Sequence, residues 1–314
     1  MDIDVFSPRD LDTTFRVLRT ALNPAGELEQ REWRFLATYA RIVGRVPGGA
    51  QLRPIRSSEV ELEGGAHERK RLLQLSAIAA LLSVPVRPAS VAFVRELSQA
   101  LGTFDPVIDV LEALHAGRRF KVRLLTMRRM LRAMLKEAYA AEGAAGVLRF
   151  LGALFLWATV NKNKARDYKR LGLLPDGTLG REYWKHMTEV GFGFPGEPNG
   201  IPDSVAYHDV AHVLASHDTT PFGEIQQGSF QGGNRREDGF FFIQFAILQF
   251  HQGIKLAPRA PAQHGYFDPE KVLWAIHRGA KCRVDLTRQW NFWPLMTLPL
   301  EEARARLGLL PKLA

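Results

Sequence analysis

A single cysteine, Cys282, stands in 314 residues. One thiol cannot close an internal disulfide or build a thiolate cluster, so any metal must rest on His, Asp or Glu, and the chain fits a reducing compartment. Strand signals are also scarce. No series of alternating Val/Ile/Thr segments separated by turn dipeptides is present, and no solenoid-period repeat or low-complexity tract is visible, which predicts an all-α architecture. Acids are in deficit, with 33 Asp plus Glu against 42 Lys plus Arg and a formal charge of +9. That excess favours anionic lipid, nucleic acid or phosphorylated partners and says nothing about fold. The opening residues (Met1, Asp2, Asp4, Arg9, Asp10) do not pair a basic stretch with an apolar one, so no secretory signal is read there. The expectation is a cytoplasmic protein at the inner face of a membrane.

The chain has ample core material at 46% hydrophobic residues, and its length suits two helical domains, placed at 1–142 and 143–314. Trp33, Leu36, Ala37 and Ala40 recur at helical spacing between Gln30 and Arg41. Leu72, Leu73, Leu75, Ile78, Ala79 and Leu82 lead to Val84-Pro85-Val86-Arg87-Pro88. A second helix from Ser90 then presents Val91, Val94, Leu97 and Leu101 before Gly102, completing a helical hairpin.

Between Gly117 and Lys136, Arg118, Arg119, Lys121, Arg123, Arg128, Arg129, Arg132 and Lys136 occur without an acid, while Phe120, Leu124, Met127, Leu131 and Leu135 keep helical spacing. This is a basic amphipathic helix. It suits either a solvated face packed by its Leu/Met stripe on its own domain or an anionic membrane surface. It lacks the aromatic interleaving of a nucleic-acid module, and no nucleic-acid partner is expected. The apolar run from Gly143 to Val160, interrupted by Arg149, reads as a buried core helix rather than a membrane span. Gly191 to Asp203 is an irregular connection.

The chemistry concentrates in His208-Asp209-Val210-Ala211-His212, followed by Glu224. Residues four apart share a helix face, so His208 and His212 can address one ion, and Asp209 lies within the same 100° sector. Pro221 reads as the first residue of a new helix, which places Glu224 in its first turn. Two neutral imidazoles with two carboxylates balance a divalent cation. Nitrogen and oxygen donors without sulfur suit Zn²⁺, Fe²⁺ or Mn²⁺, with Zn²⁺ the leading expectation. The same residues also suit a plain polar patch, in which Asp209 pairs with a basic side chain and Glu224 complements a helix dipole. The pattern is not the His-Glu-x-x-His of metallopeptidases, because Asp209 is one methylene shorter than the glutamate base. His217 and His251 are candidates to support the ligands or to serve the core. The nearly all-apolar segment Phe240 to Phe250 reads as core, with Phe241, Phe245 and Leu248 as candidates to line a lipid pocket.

His208-Asp209-x-x-His212 with Glu224, preceded by Leu174-Pro175-Asp176-Gly177-Thr178-Leu179-Gly180-Arg181-Glu182-Tyr183, resembles the coenzyme Q biosynthesis protein 4 family. The likeness runs from about Tyr168 to Leu310 and includes Glu301, Glu302, Ala303 and Leu307. It implies an α-helical, peripheral membrane protein whose metal ligands are His208, Asp209, His212 and Glu224. It also implies an isoprenoid-lipid ligand and removal or replacement of the C1 carboxyl of a polyprenyl-benzoate quinone precursor, with Asp209 as the candidate catalytic group. A homo-oligomer and other biosynthetic enzymes are the expected partners. Residues from about Gln30 to Lys136, with Leu72-Leu73-Gln74-Leu75 and Phe93 through Gly102, resemble a tellurite-resistance TerB-type helical domain. The loop Ser83 to Pro88 has no acid, so no metal is expected there. Two other classes compete: a lipid-binding scaffold without catalysis, and a His-Asp metal-dependent phosphohydrolase drawing on His186 with Asp268 or Asp285.

Overall fold

The computed structural model describes residues 1–46, 48–155, 160–198, 200–201, 206–257, 260–288 and 290–312. Among these residues all regular structure is helical. Two isolated bridges, Thr178 with Pro299 and Gln252 with His264, are the only β pairing among them. The N-terminal part comprises α1 (Asp10–Leu22), α2 (Gln30–Val43), α3 (Ala66–Ala80), α4 (Pro88–Ala100), α5 (Val107–His115) and α6 (Arg119–Phe155). It is followed by α7 (Lys162–Arg170), α8 (Leu179–Val190), α9 (Ala206–Ala215), α10 (Pro221–Asn234), α11 (Phe240–Phe250), α12 (Pro269–Lys281) and α13 (Leu300–Leu307).

Local sequence explains most boundaries. Helix α1 buries Leu11, Phe15, Leu18 and Leu22 at alternating steps of four and three. A capping box between Glu29 and Glu32 opens α2, and Gly44 closes it in the left-handed region at φ 66°. The expected hairpin is α3 and α4. Its second helix begins at Pro88, two residues before Ser90, because proline already holds the φ of a first helical turn.

The apolar interior has two parts. The larger joins Phe15, Phe35, Leu72, Val94 and Leu111 to Phe240, Ile247 and Leu248 of α11 and Ile276 of α12. The smaller gathers Tyr168, Tyr183, Val210, Leu214, Phe230 and Met296. Helix α6 does break where a boundary is expected, with non-helical backbone at Glu142 and Gly143. The larger core nevertheless crosses that point, drawing on both 1–142 and 143–314. Arg34 on α2 reaches Asp268 and Glu270 at the start of α12 (3.3 and 3.6 Å), and Arg41 reaches Glu270 at 2.5 Å. Helices α10 and α12 approach so closely at two glycines that a Cβ on Gly233 would lie 2.0 Å from the Ile276 carbonyl oxygen, and one on Gly279 would lie 2.0 Å from that of Phe230. That contact holds α10, which carries Glu224, rigidly against the rest.

One expectation is corrected here. The basic helix forms, but Val122, Leu125, Thr126 and Arg129 face the core, whereas Phe120 (79% exposed), Leu124 (56%), Met127 and Leu131 lie open. The stripe expected to pack is therefore the exposed one. Arg118, Arg119, Lys121, Arg123, Arg128 and Arg132 are exposed, as a surface face requires, but Arg129 is not. Its guanidinium clamps Asp105 through Nη1 and Nη2 (2.6 and 3.1 Å) and donates from Nη2 to Asp238 at 2.6 Å. Burial pushes the Asp105 carboxyl up, and Arg129 outweighs it and holds the group below its usual range. Arg129→Ala is expected to destabilise the fold by about 3 kcal/mol in urea unfolding, because Asp105 is then left buried and unpaired.

In the run from Gly143, Val147 and Leu151 are half-buried and Leu148 is 71% exposed; the side chains of 149, 150 and 153–155 and all of 156–159 lie outside the described residues, and the expected core helix falls largely on them. Among the described residues no helix is long and apolar enough to cross a membrane. Helix α11 is core, as its all-round apolar sequence leads one to expect. Leu248 is fully buried in the larger core with Phe245 packed against it, and Phe241 stacks on Phe242 with ring centroids 4.2 Å apart beneath Arg235.

Candidate metal centre

Three helices build the site. Thr178 caps α8 by accepting from the Arg181 N–H, and α8 delivers His186. Helix α9 carries His208, Asp209 and His212. As expected, α10 starts at Pro221, with the Thr220 hydroxyl accepting from the Gly223 N–H, and Glu224 falls in its first turn. Between α9 and α10, Ser216 adopts φ 57°, a left-handed turn that few non-glycine residues take. The turn bends the chain so that the His217 carbonyl oxygen lies 3.1 Å from His212 Nδ1.

One donor atom from each of His208, His212 and Glu224 lies within 4.8 Å of the others. The two Nε2 atoms are 3.2 Å apart, and Glu224 Oε1 is 3.9 Å from His212 Nε2. Two nitrogens bonded to one tetrahedral ion at 2.0–2.1 Å would be separated by about 3.3 Å. The nitrogen spacing is therefore already that of a chelate, and Glu224 needs only a small movement to complete it.

Proton placement strengthens the fit. A backbone carbonyl oxygen only accepts, so His212 Nδ1 must donate to His217, which leaves Nε2 of the neutral ring as a bare lone pair. Burial, reinforced by His208, holds His212 well below the usual histidine range, so the ring is neutral at physiological pH. His208 Nδ1 likewise faces Gln231 Oε1 at 3.1 Å, directing its Nε2 lone pair at that of His212. Two facing lone pairs repel unless a cation lies between them. Both rings are thus held by outer hydrogen bonds in the manner of metal-ligating histidines.

Asp209 does not join this trio. A step of 100° around α9 turns it away from His208, and its side chain is too short to return. It is buried, with no partner that would favour its charged form beyond its own backbone, and burial pushes its carboxyl up to about 7. It lies near enough to Glu224 to help raise that group, whose main upward influence is burial, against the lowering pull of His208. A carboxyl that titrates near neutrality beside a candidate metal site can hold and release a proton.

The structure also adds residues. The His186 ring stacks on His212 (centroids 5.6 Å apart, 23° between planes), and its buried Nε2 has no hydrogen-bond partner. The carboxylates that a His-Asp phosphohydrolase would recruit are elsewhere: Asp268 caps α12 and pairs with Arg34, while Asp285 accepts from Thr287 and from the Arg236 N–H. His217 supports the site through its carbonyl, and its own ring is tied to Gln227 at 3.0 Å. His251 is a core strut, with Nε2 against the Leu82 carbonyl oxygen (3.0 Å) and Nδ1 accepting from the Phe267 N–H (3.2 Å). Gln231 follows Glu224 by seven residues, two helical turns along the same face of α10, a spacing that could have flagged it. No protein-family model matches the chain, and no curated protein matches it.

Proposed function

We propose that this protein is a peripheral membrane metalloprotein that holds one divalent ion on His208, His212 and Glu224, with Zn²⁺, Fe²⁺ or Mn²⁺ as candidates. Its substrate on this reading is a prenylated aromatic carboxylate drawn from the bilayer. The observation that carries the metal half is the pair of Nε2 atoms 3.2 Å apart, each ring tied by a hydrogen-bond contact on its far side. When bound, the ion supplies Lewis-acid polarisation of the substrate carboxylate. The ring carbon vacated by the departing carboxyl takes up a proton, and Asp209 is the buried carboxyl beside the trio that can exchange one. The substrate class rests on the likeness of the His-Asp-x-x-His and Leu174 to Tyr183 segments to the coenzyme Q biosynthesis protein 4 family. The membrane half is supported by α6, where Phe120, Leu124, Met127 and Leu131 form an open apolar stripe among Arg118, Lys121, Arg123, Arg128 and Arg132. Apolar side chains beside a cationic face match an anionic lipid surface, in keeping with a location at the inner leaflet.

The test uses vesicles of phosphatidylglycerol and phosphatidylcholine carrying a polyprenyl-hydroxybenzoate labelled at its carboxyl carbon. Metal-loaded protein is expected to sediment with the vesicles and release labelled carbon dioxide. A Phe120→Ser/Leu124→Ser double variant should lower vesicle partitioning at least tenfold, at about 1.5 kcal/mol or more per lost side chain, with metal content unchanged. Lipid capture without turnover would leave a binding scaffold. Neither capture nor turnover would overturn the substrate class.

A further inference from the structure

A second polar cluster lies beyond His217, on the side away from the metal centre. Arg278 on α12 is only 2% exposed. Its Nε donates to the Leu310 carbonyl (2.9 Å), and Nη1 donates to the Ala215 carbonyl (3.0 Å) and faces His217 Nε2 at 3.4 Å. Among the described residues no carboxylate lies within 4.0 Å of it. Burial, with Arg304 adding repulsion, lowers its pKa to about 10, so the guanidinium stays charged without a counter-ion. An uncompensated buried cation is costly, and here it forms part of a cavity wall.

The rest of that wall is also short of negative charge. Arg34, Lys271, Arg278 and Lys312 line it against Asp268 and Glu270, four cations to two anions, and the His217 ring is neutral because burial depresses its pKa to about 3. Both acids are already engaged, Asp268 by Arg34 and Glu270 by Arg34 and Arg41. Lys271 sits over the Phe222 ring at 5.6 Å and Lys312 donates to the Ser216 carbonyl at 2.7 Å; neither has a carboxylate partner among the described residues. Trp274 completes the wall with an indole N–H that has no acceptor. The cavity therefore offers unused cations and a donor from α12 and the C-terminal segment, and lacks the acceptor that would satisfy them.

We propose that this cavity is an oxyanion site that binds a phosphoryl group through Arg278, Lys271 and Lys312. Three cationic groups around one space suit a tetrahedral anion with several charged oxygens better than a planar carboxylate, and Arg278 is the forked donor typical of such sites. The site is independent of the metal reading, since none of its three cations touches His208, His212 or Glu224.

The experiment is thermal unfolding of the full chain at constant ionic strength, with chloride exchanged for inorganic phosphate in one series and dihexanoyl-phosphatidate added below its micelle concentration in another. A saturable rise in Tm in the millimolar range is expected with at least one probe, at least threefold weaker in affinity for Lys312→Ala and absent in Arg278→Met. If Arg278→Met does not fold, a Lys271→Ala/Lys312→Ala double variant, altered only in exposed side chains, decides. A response to phosphatidate alone identifies a lipid headgroup as the source of the phosphoryl group, and equal responses identify a free phosphate or small phosphorylated compound. No saturable rise with either probe, or an unchanged response in the double variant, overturns the site.

Discussion

Alanine in place of His212 is expected to lower divalent-metal affinity by a factor of about a thousand, from near one ion per chain to background when measured by plasma mass spectrometry on untagged protein. The loss exceeds that of a single bond because His212 sits between the other two donors, 3.2 Å from His208 Nε2 and 3.9 Å from Glu224 Oε1. Without it, only two donors from different helices remain, too few to hold an ion against water. Gln231→Ala is the graded companion. It keeps all three donors but releases His208 from its tautomer, and a loss of about ten- to a hundredfold is expected. Wild-type protein that is folded, metal-free and unable to take up Zn²⁺, Fe²⁺ or Mn²⁺ would sink the metal reading.

Asp209→Asn is expected to stabilise the metal-free protein by about 4 kcal/mol at pH 8 and by almost nothing at pH 4. The carboxyl has an ordinary value of 3.8 when exposed and about 7 in the fold. Between those values the folded chain keeps a proton that the unfolded chain has shed. The contribution of Asp209 to stability therefore falls as pH rises from about 4 to about 7 and is level beyond, with every tenfold gain in proton affinity on folding costing about 1.4 kcal/mol. Buried His217 and His251 have depressed values near 3 and 4, so they contribute the opposite slope, with stability lost as pH falls toward those values. The informative quantity is thus the difference between wild type and variant in denaturant unfolding at each pH. Saturating metal should reverse the order of stability, because a nearby cation favours the charged carboxylate. A difference that does not vary with pH would show that Asp209 is not held protonated by burial.

Helical periodicity made α2 and the α3–α4 hairpin legible, since each needs only local spacing and caps. The same periodicity identified α6 as amphipathic but could not say which side meets the interior. Arg129 looks like its basic neighbours in the chain. What buries it is Asp105, 24 residues upstream, and Asp238, 109 downstream, and neither is visible in local pattern. The candidate donors were readable because His208 and His212 share one helix turn and Pro221 announces the next helix. Gln231 was not, because it acts from another helix, and His217 was a candidate without its carbonyl being the atom foreseen. Asp209 shows the limit of angular reasoning: a 100° sector is compatible with a shared ion, but side-chain length decides whether the group arrives.

The interior shared by α1–α5 with α11 and α12 bears on how the chain is made. Residues up to His115 leave the ribosome well before Ile276, and until then the interior they build lacks the cover that α11 and α12 supply. At bacterial or eukaryotic elongation rates the intervening stretch takes on the order of ten to thirty seconds to synthesise. During that interval the part of this interior that α11 and α12 will cover remains apolar surface open to solvent.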